Sequence, residues 1–273
     1  MTNGEQSVQM FGPAAWEGSV QRYGPVRRVA VISDVHANIA ALTAVVTEIR
    51  AADVDLVVSC GDLTWGAEPD ETLGLLDAEF GERLVCIRGN GERAVIDLSR
   101  GDREAGRPRE VWVPARHSEQ SLRRVGSFPF SVVVTVDGLG PVRFCHGSPR
   151  SDHELITPGT PAARMADLSA EIAERVLVTG HTHIQFDRHV AGLRSVNPGS
   201  VGLPHHEGAP GTAYWALLGP DVELRQTPFD VAEAAAVGAR LGDPAAELIE
   251  RLLMVPPTPA EIIEEGEKLV FSD

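Results

Sequence analysis

Hydrophobic positions in the first hundred residues switch between two periods in a regular way. "RRVAVIS" (27–33) is a run of β-formers, "NIAALTAVVTEIRAA" (38–52) puts Ile39, Leu42, Val46 and Ile49 on one helical face, and "VDLVVSC" (54–60) is strand-like again. The alternation continues through helix "EPDETLGLLDAEF" (68–80), strand "RLVCIRG" (83–89) and helix "ERAVIDLSR" (92–100). This is the signature of consecutive βαβ units on a parallel sheet.

After a charged, Pro-containing surface excursion (101–114) and a helix over "RHSEQSLRRVGSF", the period changes to that of hairpins. "FSVVVTV" and "PVRFCHG" flank the turn "DGLG", "RVLVTGHTH" adds a further strand, and "IQFDRHVAGLRSVN" and "GTAYWALLGPDVELRQT" read as two more hairpins. "NPGS" (197–200) suits a type II turn with Pro198 and Gly199 central. Early βαβ units followed by late hairpins predict an α/β (α+β) fold, with two packed mixed β-sheets flanked by helices. Residues 1–26 mix Gly, Pro and isolated aromatics without a period and read as a loosely ordered arm, which Trp16 and Tyr23 would tuck onto the body. Residues 27–228 form the main domain. Residues 229–273 form an amphipathic helical appendage, broken at "PPTP", that covers part of the core and carries no catalytic residue.

Composition narrows the class. With 24 Lys plus Arg against 39 Asp plus Glu, the net charge of −15 repels phosphate backbones and argues against a nucleic-acid scaffold. Cys60, Cys86 and Cys145 are too few and scattered for a disulfide framework, and each ends an apolar run as a small buried hydrophobe. No stretch approaches the ~20 apolar residues of a membrane span. A soluble, cytoplasmic protein is expected.

The chemistry lies where the apolar runs stop. "SDVH" (33–36), "CGDL" (60–63), "RGNGE" (88–92), "CHGS" (145–148) and "TGHTH" (179–183) each end a strand with side chains that bind metals. In an open α/β sheet such ends share one edge, where ligands bind. Asp34, His36, Asp62, Asn90, His146, His181 and His183 are therefore candidate ligands of one site, since burying them without a partner would cost several kcal/mol. Seven donors exceed the four of one tetrahedral site, and a shared carboxylate is the usual way to hold two ions. Gly61, Gly89, Gly147 and Gly180 would let the backbone turn beside them.

The ordered set D-x-H, G-D, G-N, H-G and G-H-x-H resembles the calcineurin-like metallophosphoesterase superfamily, over about residues 27–227. "GDLTWGAEPDETLGLL", "CHGSPR" and "VNPGSVGLP" are similar to its compact bacterial phosphodiesterase branch, which also includes dinucleoside tetraphosphate hydrolases. The resemblance implies that Asp34, His36 and His183 hold one ion and Asn90, His146 and His181 the other, with Asp62 bridging; Asp62, Asn90 and His181 are the expected catalytic residues. It further implies two divalent transition metal ions, a small phosphorylated substrate such as a nucleotide, and attack on phosphodiesters or nucleotide anhydrides by a hydroxide held between the ions. Asp, Asn and His donors without thiolate suit Mn, Fe or Zn, and softness alone does not choose among them; Mn is favoured.

Many members have His after the Asn of the G-N motif, where this chain has Gly91. Leaving-group protonation is thereby unassigned, with His205, His206, His153 and His117 as possible replacements. Arg88, Arg150 and His205 are candidate substrate-binding residues, the two arginines because they flank the ligand segments. Trp65 is a candidate stacking surface. The alternative is a binding or scaffold module that keeps the fold with little activity.

Overall fold

The computed structural model describes residues 20–269. Its early part alternates strictly: β2 (Val29–Ile32), α1 (Ile39–Ala51), β3 (Leu56–Ser59), α2 (Pro69–Phe80), β4 (Leu84–Cys86) and α3 (Asn90–Arg100). The excursion and the helix after it contain α4 (Pro108–Trp112) and α5 (Glu119–Val125). Hairpin strands β5 (Ser131–Val136) and β6 (Gly140–Cys145) follow, then α6 (Ala162–Leu168) and β7 (Val176–Val178). The pairs β8 (Gln185–Val190) with β9 (Leu193–Pro198) and β10 (Thr212–Leu218) with β11 (Val222–Pro228) precede α7 (Val231–Leu241), α8 (Ala246–Met254) and α9 (Pro259–Gly266).

Two mixed sheets result, as the pattern predicted. One has the order β11-β10-β2-β3-β4, with β2, β3 and β4 parallel and β10 antiparallel to β2. The other has β5, β6, β7, β9 and β8 in spatial order, with an additional strand at its edge. That strand, β1 (Gln21–Val26), runs parallel to β5 inside the segment expected to be a loose arm. Its Gly24-Pro25 pair and mostly exposed side chains conceal it from hydrophobic patterning. Tyr23 packs against the core from this strand, whereas Trp16 lies outside the described residues.

Alternation along each strand decides which core its side chains join. Val29, Val31, Val58 and Val85 meet Val132, Val134, Phe144 and Val178 between the sheets. Ala30, Ile32, Val57, Trp215 and Leu217 face outward against α1, α2 and α5. On the far face of the second sheet, Leu177 and Phe186 pack with Met165 and Leu168 of α6, and Ile262 and Ile263 of α9 lie against that cluster. The three cysteines are free and buried. Among the described residues no helix is long and apolar enough to cross a membrane.

Candidate metal centre

Short buried strands deliver every expected donor to one end of the sandwich. Asp34 and His36 follow β2, Asp62 follows β3, Asn90 opens α3 beyond β4, His146 follows β6, and His181 and His183 follow β7. Five of these, Asp34, His36, Asp62, His181 and His183, have positive φ between 50° and 67°. Non-glycine residues avoid this region, so the backbone here is held by its surroundings in a conformation of higher energy.

The supporting hydrogen bonds explain how. Glu92, fully buried, accepts from Asp62 N (2.8 Å), Gly89 N (2.8 Å) and Thr64 N (3.0 Å), tying the G-D loop to the start of α3. Gly91 N donates to Asp62 Oδ1 at 2.7 Å. On the other sheet, Asn197 Nδ2 donates to Gly180 O at 2.7 Å and to Thr182 Oγ1 at 3.0 Å, bracing the G-H-T-H loop. Gly199, at φ +80°, takes the left-handed position expected of the "NPGS" turn. Ser200 Oγ donates to Asp34 O at 2.7 Å, and Ser33 Oγ to Asp34 Oδ2 at 2.6 Å. Gly180 has no alternative here: a Cβ would overlap Ser33 Oγ and the Asp34 carboxylate.

Three imidazoles are oriented by giving Nδ1 to a backbone carbonyl: His146 to Cys60 O (2.7 Å), His183 to Leu203 O (2.6 Å) and His36 to Trp65 O (3.3 Å). That arrangement leaves each Nε2 as a lone-pair donor, the usual preparation of a metal-binding histidine. His36 Nε2 and His183 Nε2 then face each other at 3.2 Å, and His146 Nε2 faces Asn90 Oδ1 at 2.9 Å. In both places two acceptors meet unless a proton or a cation lies between. Asp34 Oδ1 is buried without a hydrogen-bond partner, 3.2 Å from His183 Nε2 and 3.9 Å from His36 Nε2. Asp62 reaches both groups, its Oδ2 3.9 Å from His36 Nε2 and its Oδ1 3.5 Å from His146 Nε2. Donor atoms of Asp34, His36 and His183, and of Asp34, Asp62 and His146, converge within 4.8 Å. His181 stands slightly apart, its ring 4.9 Å from that of His146 and its Nε2 donating to His153 O at 3.0 Å, which leaves Nδ1 for a ligand.

Electrostatics follow from this crowding. Burial opposes the Asp34 carboxylate, but His183, His146 and His36 hold its pKa far below the ordinary value. Burial, with Glu92 and Asp34 nearby, raises Asp62 to about 7 despite His146 and the Gly91 N–H. Burial and a neighbouring imidazole lower His36 and His181 to about 3, so both rings are neutral at physiological pH. The donor set fits divalent cations: Asp34 Oδ1 is buried without a hydrogen-bond partner, the His36 and His181 rings are neutral, and the neighbouring carboxylates raise His146 and His183 despite their burial, so protons there occupy places that a metal would take.

A family model for the calcineurin-like phosphoesterase superfamily domain matches residues 28–217. The chain belongs to the calcineurin-like phosphoesterase superfamily. This calcineurin-like chain is a metal-dependent phosphoesterase, and the family implies divalent metal ions at the centre just described. It is similar to a metallophosphoesterase from Sphaerobacter thermophilus, with 25% identity, a TM-score of 0.64, and coverage of 82% of this chain and 98% of that one. The hypothetical protein PH1004 from Pyrococcus horikoshii OT3 shares the fold at 18% identity, with a TM-score of 0.69 over 85% of this chain and 99% of that one. The uncharacterized protein MJ0912 of Methanocaldococcus jannaschii is 25% identical over 230 residues, 76% of this chain and 89% of that protein.

The phosphoesterase site opens into a cleft of about 450 Å³ lined by His36, Asp62, Asn90, His181 and His183 together with Trp65 and His153. The space beside Gly91 belongs to Trp65: a Cβ at position 91 would lie 2.9 Å from Trp65 Cβ and 2.9 Å from Asp62 Oδ1. The structure places the three residues expected to bind substrate outside the lining of this cleft. Arg150 lies 2.9 Å from Glu154 and 2.9 Å from Asp167, so its guanidinium serves ion pairs away from the cleft, in keeping with an acidic protein. His205 stacks on His183 (centroids 4.8 Å, 18° between planes) and holds Thr182 O through Nδ1 at 2.9 Å, which makes it a brace for a ligand and not a cleft residue. Arg88 is also absent from the cleft lining, its Nε buried without a hydrogen-bond partner. His206 packs on Tyr214 and His117 bonds Val113 O, leaving His153 as the one of the four alternative histidines in the cleft. Sequence reasoning missed Glu92, although its position three residues after Gly89 has the spacing of a helix-capping acid. It also missed the lining supplied by Arg103, Arg109, Glu110, Leu248, Ile249 and Leu252.

Proposed function

We propose that the chain is a two-metal phosphodiesterase in which Asp34, His36 and His183 hold one ion, Asn90, His146 and His181 the other, and Asp62 both. The observation that carries this reading is the reach of Asp62, one carboxylate within 3.9 Å of an imidazole nitrogen in each donor group. Divalent ions at this centre would supply Lewis-acid polarisation of the phosphoryl group and a strong nucleophile at neutral pH. The mixed oxygen and imidazole donors admit Mn, Fe or Zn, and Mn²⁺ is the ion used to test the reading.

The chain's own residues do the rest. Glu92 and Gly91 fix the Asp62 carboxylate, while Asn197 and Ser200 fix the loops bearing His181, His183 and Asp34. Trp65 and apolar side chains of α8 line the cleft beside these donors. Both guanidiniums in the cleft wall already face carboxylates, Arg103 with Glu110 and Arg109 with Asp243. That pairing favours a singly charged diester over a dianionic monoester, which would need additional cations. A nucleotide diester or anhydride is the favoured natural class. Free, buried cysteines agree with a reducing cytoplasm.

The test is hydrolysis of matched aryl diesters, aryl monoesters, cyclic nucleotides and dinucleoside polyphosphates by Mn²⁺-loaded protein. Diester turnover at least about tenfold above monoester turnover supports the reading; a monoester preference overturns the substrate assignment.

A further inference from the structure

Two segments outside the strand-end pocket converge on the mouth of the cleft. The first is the 101–114 excursion carrying Arg103, Arg109 and Glu110, and the second is the pair α7–α8. One ion pair joins them: Arg109 Nη2 lies 3.0 Å from Asp243 Oδ2, and the Asp243 side chain is only 2% exposed. Asp243 Oδ1 accepts from Ala245 N at 2.8 Å, just before α8 begins, so the same carboxylate fixes the start of that helix. On its inner face α8 buries Leu253 against Ala234 and Ala235 of α7, beside Leu203. Leu248, Ile249 and Leu252 line the cleft along with Trp65 and the metal donors, Ile249 also packing on the Leu253 cluster.

Spacing and exposure make this an unusual wall. Leu248 and Leu252 are four residues apart and therefore on one helical stripe, yet Leu248 remains 44% exposed. The stripe lines the same cleft as the polar donors His36, Asp62, Asn90, His181 and His183. The nearby cations are neutralised by Glu110 and Asp243, so a second phosphate would find its guanidinium partners engaged. An uncharged ring would find apolar surface on one side and an indole on the other.

We propose that Trp65, Leu248, Ile249 and Leu252 form a subsite for an aromatic ester substituent of the substrate, an aryl or nucleobase ring, making α8 a specificity element of the active site. This rests on the phosphoesterase reading above and sharpens it toward diesters whose second ester group carries a ring. Apolar pockets of this kind discriminate by about 10- to 200-fold per well-filled group.

The decisive variant is Leu248→Ser/Leu252→Ser. Both positions are at least partly exposed, so polar residues are compatible with the fold, and circular dichroism verifies this. Two probe pairs are used on Mn²⁺-loaded protein. In hydrolysis, bis(4-nitrophenyl) phosphate is compared with methyl 4-nitrophenyl phosphate, which shares the leaving group and lacks the second ring. The variant should lower the ratio of kcat/KM values about tenfold while leaving the methyl ester within about twofold of the parent. In calorimetric titration, phenylphosphonate should bind the parent about tenfold more tightly than methylphosphonate, and the variant should bind the two equally. A ring preference absent from the parent, or one that survives the double substitution, overturns the subsite. Failure to hydrolyse any ester would instead sink the functional reading, and the phosphonate titration would still decide the subsite.

Discussion

The two sheets contribute unlike donors to one centre. From the ends of β2, β3 and β4 come both carboxylates, the amide of Asn90 and one imidazole, His36; from the ends of β6 and β7 come three imidazoles, His146, His181 and His183. The supports differ as well. The first sheet's side is tied by an anion, Glu92, which gathers backbone N–H groups, whereas the second is tied by a neutral amide, Asn197, which holds a carbonyl and a hydroxyl. An ion bound between the halves would close contacts that neither sheet completes alone, among them that of Asp34 Oδ1, which is buried without a hydrogen-bond partner.

The largest effect should come from removing the carboxylate that reaches both halves. Asp62→Asn is expected to lower kcat/KM by roughly 1,000-fold or more and to reduce metal content at both positions, because a neutral amide is a poor ligand for two cations. Two tightly held ions in that variant would show that the halves do not share Asp62. Next is the contrast between supports. Glu92→Ala should cost about 3–5 kcal/mol in denaturant unfolding, because several buried N–H groups lose an anionic partner, and Asn197→Ala about 1–3 kcal/mol. Equal costs would remove the distinction between the anionic and the neutral tie.

Acidity gives a third handle. The Asp62 carboxyl, raised to about 7 mainly by burial, is protonated below that pH in metal-free protein, whereas His36 and His181, lowered to about 3, need lose no proton to bind. Protons therefore compete with metal at Asp62, and also at His146 and His183, which neighbouring carboxylates raise despite burial: apparent affinity should rise at least about tenfold per unit as pH approaches 7 from below. Titrations of metal-free protein between pH 5.5 and 8 check this. A flat profile, or affinity falling with pH, would mean that Asp62 binds no ion. The smallest effect is expected from Arg150→Ala, which should leave kcat/KM within about twofold because its partners are Glu154 and Asp167. A tenfold loss would return Arg150 to the substrate site.

The catalytic end of the molecule was legible in the sequence because strand period and ligand residues coincide there: each apolar run stops at Asp, Asn or His. β1 was hidden, since an edge strand with mostly exposed side chains and an internal Gly-Pro has no alternation to read. The periodicity of α8 revealed an apolar face, but period alone cannot say whether such a face meets a core or a cleft; here Leu253 does the first and Leu248 the second. The partners of Arg150 and His205 were not legible for a related reason. Proximity in sequence to a ligand says nothing of which neighbour a long or planar side chain will choose; Arg150 pairs with the buried Glu154 carboxylate, and His205 stacks on His183.

The central claim is that the two sheets hold two ions between them. Elemental analysis of protein purified without chelator and then equilibrated with Mn²⁺, paired with hydrolysis of bis(4-nitrophenyl) phosphate before and after chelation, tests it most directly. The account predicts two ions per chain, with activity lost on chelation and restored by Mn²⁺. Near-zero transition metal and no hydrolysis after Mn²⁺ is added would contradict it.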